Sequence, residues 1–187
     1  MEPRIKILLT GDSEEGLTAI FNRFHVKQFD EEKLKDYKFN IAFNNVLHKS
    51  FKFIFIIWKL GNDLLHKNSL KSFFPAAGAI IAFNENKKSS FDNMEKWVDA
   101  ILNNSNIGLI PIIVVGYKEE KTIQIQESVD QDIIINFCKN LSLKLEKIQF
   151  LSKYFSFSDS ETSKIDDLFN YLADYYMIRK DFFLFSN

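Results

Sequence analysis

The chain has 187 residues, 46% apolar and 26% charged, with a net charge of −1. These values fit one soluble globular domain with a sizeable core. They argue against a protein that binds nucleic acid or anionic membranes through bulk positive charge, and no apolar run approaches the roughly 20 residues of a membrane span.

In chain order, a strand is predicted over 4–9 (Ile5-Lys6-Ile7-Leu8-Leu9) and a helix over 16–24. Between them stands Gly11-Asp12-Ser13-Glu14-Glu15-Gly16-Leu17-Thr18. This octet follows the phosphate-loop pattern G-x-x-x-x-G-K-[ST], with Leu17 in place of the lysine. Loop N–H groups and a helix N-terminus attract phosphate oxygens whatever the side chains are. The missing ammonium removes roughly 4 kcal/mol of attraction at about 4 Å and an effective dielectric near 20. The charged stretch Asp30–Lys38 reads as a solvated segment.

Strands over 39–47 and 51–58 are joined only by His48-Lys49-Ser50, which permits a hairpin and makes one sheet edge antiparallel. A helix over 64–73 follows, then a strand over 78–83 whose run Ala79-Ile80-Ile81-Ala82-Phe83 suits burial on both faces. A helix over 90–103 lines up Phe91, Met94, Val98, Ile101 and Leu102, with Ser89 or Ser90 as its cap. A strand over 110–115, a polar loop over 119–126, a helix over 128–141 and a strand over 147–151 come next. The last helix, 162–179, carries Ile165, Leu168, Phe169, Leu172 and Tyr176, with Ser160 or Thr162 as its cap.

Strands alternating with about five helices predict an α/β fold with a six-stranded, mostly parallel sheet covered on both faces. One domain spans 1–179, followed by a short aromatic tail, 180–187, which either packs back or docks a partner. Cys138 is the one cysteine, expected as a buried structural thiol in a reducing compartment. His25, His48 and His66 have no metal-ligand spacing. A strand starts within a few residues of Met1, so no signal peptide is expected. No C-terminal cysteine is there to carry a prenyl anchor, and a cytoplasmic protein is expected.

The order of elements resembles the Ras-like small GTPases, most closely the Rab group, from Ile5 to about Met177. The resemblance rests on Ile5–Ser13 followed by Phe21-Asn22-Arg23-Phe24, and on Phe73-Phe74 before Ala77–Ile81. It rests also on Ser90-Phe91-Asp92-Asn93 with Trp97. It implies a three-layer P-loop NTPase fold of small GTPase type, binding GTP or GDP with Mg²⁺.

The resemblance assigns roles by position. In the loop 11–18, Thr18 matches the Mg²⁺-ligating hydroxyl and Leu17 the lysine that contacts the β- and γ-phosphates. Glu14 falls where the family has only small residues beside the γ-phosphate; Glu14 and Glu15 face either the phosphates or solvent. No threonine occurs between Thr18 and Thr122, so Asn40 matches the first-switch threonine, as a weak ligand or simply a strand-edge residue. After Trp58, Lys59 replaces the acid that orients Mg²⁺, Asn62 the γ-phosphate-sensing glycine and Asp63 the catalytic glutamine. Lys59 either takes over the missing loop lysine's contact or does not. In the base pocket, Tyr117-Lys118-Glu119-Glu120 stands for Asn-Lys-x-Asp. There Lys118 covers the base, Glu120 offers the carboxylate, and Tyr117 loses the tethering amide. Leu151-Ser152-Lys153 is matched to Ser-Ala-Lys.

These departures imply a pseudo-GTPase: a degenerate Ras/Rab-like domain with no catalytic residue, no cofactor expected, and a role as an interaction or scaffold subunit. The alternative is a protein that binds GTP or GDP with Mg²⁺ in an atypical, weakly or non-hydrolysing way, through the loop, Lys118, Glu120, Ser152 and Lys153. The implied partner is a protein, met through the switch face and the 39–58 hairpin, with Phe39, Phe43, Phe51, Phe53, Phe55, Leu64 and Leu65 as the apolar candidates. The 20 phenylalanines point the same way, since exposed aromatic patches form partner surfaces.

Overall fold

A computed structural model describes residues 2–24, 40–61, 75–105, 108–120 and 127–179. Its sheet has six strands in the order β2-β3-β1-β4-β5-β6. They are β1 (Arg4–Gly11), β2 (Asn40–His48), β3 (Phe51–Lys59), β4 (Gly78–Asn84), β5 (Ile112–Lys118) and β6 (Tyr154–Ser158). All neighbours pair in parallel except β2 with β3. Five α-helices are described: α1 (Glu14–Phe24), α2 (Lys88–Asp92), α3 (Met94–Asn104), α4 (Gln131–Lys144) and α5 (Lys164–Ile178).

The helices form two outer layers. α1 and α5 pack together, with Arg23 Nη2 2.6 Å from Asp166 Oδ2 and Phe24 edge-on to Phe169 at 4.7 Å. α2, α3 and α4 pack together through Phe91 against Phe137 and Lys144 paired with Glu95. The central strands are therefore apolar on both faces: every residue from Ile112 to Tyr117 and from Gly78 to Phe83 is buried. The hairpin is different. Phe53, Phe55 and Ile57 are buried, whereas Ile54, Ile56 and Trp58 are half-buried. Its turn is tighter than expected, with Lys49 and Ser50 alone at φ 47° and 69°. Two positive φ values in a row match the twist of a two-residue hairpin turn. His48 extends the strand, and its Nε2 lies 2.8 Å from Asp174 Oδ1 of α5.

Several expected boundaries are corrected. No strand forms over 147–151. Glu146–Ile148 is a 3₁₀ turn, and β6 begins three residues later than that range ends, at Tyr154. In the run Lys147-Ile148-Gln149-Phe150-Leu151, Gln149 takes φ 52°, which breaks a strand; Tyr175 donates its hydroxyl to Ile148 O at 3.3 Å, and the Phe150 ring packs against Tyr171 and Tyr175 of α5. The helix expected over 90–103 is two helices, broken at Asn93, and Ser90 lies inside the first; its hydroxyl bonds the carbonyls of Asn84 and Lys87. α4 starts at Gln131 because Asp130 caps it, accepting from Asp132 N at 2.8 Å. Ser163 precedes α5, without a side-chain cap bond, so neither Ser160 nor Thr162 caps it. The helix expected over 64–73 and the tail 180–187 lie outside the described residues.

Two buried groups give direct tests. Cys138 is 6% exposed, and burial pushes its thiol up to about 11. About one thiol in a thousand is ionised at pH 8, and the thiolate is the nucleophile. An aromatic disulfide reagent should therefore label native protein far more slowly than urea-unfolded protein; equal rates would contradict the burial. Thr10 Oγ1 is buried with no hydrogen-bond partner among the described residues. A lone buried hydroxyl is destabilising, so Thr10→Val should raise stability by about 1 kcal/mol in urea melts.

Candidate functional site

The carboxyl ends of β1, β3, β4, β5 and β6 share one edge of the sheet, at Gly11, Lys59, Asn84, Lys118 and Ser158. Ligands of open α/β sheets bind at this edge, where strand order reverses. Here β1 is that point, with β3 on one side and β4 on the other. The predicted loop 11–18 leaves β1 there. Gly11 has φ 133°, and a Cβ on it would stand 2.0 Å from the carbonyl oxygen of Ala82. A Cβ on Gly16 would stand 2.7 Å from Cβ of Tyr117. Both glycines are thus sterically required, whatever the loop binds.

The loop is short because α1 begins at Glu14, two residues earlier than the sequence pattern suggests. Ser13 acts as its N-cap: Ser13 Oγ accepts from Gly16 N at 3.1 Å, and Ser13 O accepts from Leu17 N at 2.9 Å. Ser13 N donates to Ala82 O at 3.3 Å. These N–H groups belong to the set a phosphate loop turns toward its ligand, and here the chain itself satisfies them. Glu14 and Glu15, exposed in the first turn, complement the positive end of the helix. Leu17 is fully buried in the core with Ile20 and Phe21. It has not simply lost a charge; it has become a core residue. Asp12 turns away from the loop, accepting from Trp97 Nε1 at 2.8 Å and Asn93 Nδ2 at 2.6 Å, which ties the loop to α3.

Lys59 is the charged residue that reaches the loop. Its Nζ donates to Thr18 Oγ1 at 2.7 Å and to Glu14 Oε1 at 2.5 Å. Thr18 Oγ1 lies 3.4 Å from the same Glu14 oxygen, closing a triangle. The Lys59 side chain is 12% exposed and that of Glu14 59%. Glu14 thus stays largely exposed while its carboxylate meets Lys59. Asn40 begins β2 opposite Lys59. Asn62 and Asp63 lie outside the described residues.

On the base side the structure redraws the motif. Tyr117 is buried between Gly16 and the end of β6: its ring lies edge-on to Phe157 at 5.8 Å, and its hydroxyl donates to Asp159 Oδ1 at 2.6 Å. Burial first, then this bond, push the phenol well above its ordinary value, so it stays a donor. Glu120 Oε1 accepts from Ser158 Oγ at 2.6 Å, from Ser160 N at 3.3 Å and from Ser160 Oγ. Lys118 is exposed. Ser152 and Lys153 are not brought to this edge. Ser152 Oγ donates to Ile112 O, at the far end of β5 from Lys118, about 20 Å away along six strand steps. Lys153 Nζ lies over Tyr171 at 4.2 Å. Ser158, Asp159 and Ser160, which the sequence does not single out as site residues, bond Tyr117 and Glu120 there instead. The alternation Tyr154-Phe155-Ser156-Phe157-Ser158 was the signal for β6.

A family model described as Ras of Complex, Roc, domain of DAPkinase matches residues 6–120. The chain is 25% identical to Ras-related protein RabY of Dictyostelium discoideum over 175 residues, covering 88% of this chain and 66% of that one. It is 26% identical to GTP-binding protein ypt3 of Schizosaccharomyces pombe, covering 62% and 54%, and 21% identical to Ras-related protein Rab-13 of Canis lupus familiaris, covering 90% and 77%. The chain thus spans just under two thirds of RabY and about half of ypt3. The six-stranded sheet, the glycine-framed loop and these matches together place the chain in the Ras superfamily as a Rab-like member carrying a Roc-type domain.

Proposed function

We propose that this domain is a pseudo-GTPase: it hydrolyses no GTP, and it works as a protein-interaction subunit. The observation that carries the reading is the Lys59 ammonium 2.7 Å from Thr18 Oγ1. Family members use GTP or GDP with Mg²⁺, and the residues here do not fit that metal. The hydroxyl matched to the metal ligand is bonded to a cation, and a divalent ion beside that ammonium meets a repulsion of order several kcal/mol. The base side supports the same reading. Tyr117 fills the space between the loop and β6, and the Glu120 carboxylate is already bonded by Ser158 and Ser160.

Without a ligand that binds two states differently, the domain has no energy source for switching. It then serves as a fixed surface. The hairpin supports this role: Ile41, Phe43, Ile54, Ile56 and Trp58 share one half-buried face, with Lys6 Nζ 3.9 Å from the centre of the Trp58 ring. That apolar face, set beside Lys6, suits a protein partner. A cytoplasmic location is part of the same proposal.

Two measurements test it. Protein purified without added nucleotide and then heat-denatured should release no GDP or GTP on ion-exchange chromatography; a stoichiometric amount contradicts the reading. Leu17→Ala should lower stability by about 2–4 kcal/mol in denaturant melts, as for other buried leucines. A change near zero would mean that Leu17 is not a core residue and that the loop is free to open.

A further inference from the structure

The triangle of Glu14, Lys59 and Thr18 has a second consequence. In a loop of this shape the first turn of the helix is where an anion is drawn in. The Glu14 carboxylate is already an anion at that turn, and it is held by the Lys59 ammonium. Glu15 stands in the same turn, and among the described residues no ion pair joins it to Lys59. We infer that Glu14 is a built-in occupant of the phosphate site, whose carboxylate excludes phosphate ligands by holding Lys59. This rests on the reading above that the loop holds no nucleotide.

The physics is that of intramolecular competition. A carboxylate on the same chain acts on its partner at an effective concentration of millimolar or more. A free phosphate has to displace it, and it also meets the Glu14 charge at close range. Remove the carboxylate, and a mostly buried ammonium is left beside the helix N-terminus with the Thr18 hydroxyl next to it. A buried unpaired cation recruits an anion. The chemical class is a metal-free diphosphate. The ammonium stands in for a metal ion. Glu14 is exposed at the first position of α1, so Glu14→Gln keeps shape and fold while removing the charge.

The test is titration calorimetry of inorganic pyrophosphate, without metal, against wild-type protein and the variants Glu14→Gln, Glu14→Ala, Glu15→Gln and Glu14→Gln/Lys59→Met. Circular dichroism melts confirm that each variant is folded. Expected is a gain of at least about tenfold in affinity for both Glu14 variants, equivalent to about 1.4 kcal/mol. No gain is expected for Glu15→Gln, and the gain should be lost in the double variant. The inference is overturned if neither Glu14 variant binds better than wild type, if Glu15→Gln gains as much, or if the gain survives loss of Lys59. Nucleotide found in the wild-type protein bears on the proposed function instead, because the ratio between variants and wild type is read independently of it.

Discussion

The turn between β1 and α1 is the constraint on which the rest depends. β1 is the centre of the sheet, paired to β3 and β4, and the chain has to leave it against β4 and fold back over one face. Only Asp12 and Ser13 separate strand from helix. That is possible because Gly11 comes within contact of Ala82 without a side chain, and because Ser13 caps the helix at once. The same turn is the phosphate loop of the superfamily. Its glycines are therefore required by the fold even when the ligand is gone, and their presence says little about binding.

Charge has been rearranged around that turn. On the proposed reading, Leu17, in the core, stands where the family pattern has its lysine, and Lys59 stands where the metal-orienting acid is expected. A buried leucine at the start of α1 contributes apolar burial of about 1.5–3 kcal/mol, and the new ammonium finds Glu14 and Thr18 within hydrogen-bond reach. On the proposed reading, contacts that a nucleotide and its metal make in the family are made here by side chains. Tyr117 with Asp159, and Glu120 with Ser158 and Ser160, extend the same replacement to the base side.

Much of this was legible in the residues. The strand-loop-helix opening, the hairpin and the buried run of β4 are written in local pattern, and each formed within a few residues of its expected place. β6 was not. Ile148 and Phe150 alternate with polar residues as in a half-buried strand, but Gln149 at φ 52° and the packing of Phe150 on Tyr171 and Tyr175 take the segment out of the sheet. The base motif read from that strand, Ser152 and Lys153, accordingly lies at the opposite end of β5 from Lys118. The fate of Lys59 was not readable either, because its partners lie 45 and 41 residues away in the chain. Leu17 reads as a loss in the motif; its gain appears only once α1 is seen to start at Glu14.

On the proposed reading this loop holds no nucleotide, and thermal melting with and without saturating Mg²⁺-GTP is the most direct test. A ligand at about 100 times its Kd stabilises by about 2.7 kcal/mol, which raises the melting temperature of a domain this size by about 5–10 °C. The expected result is an unchanged melting temperature. A rise of that size, growing with GTP concentration, would contradict it.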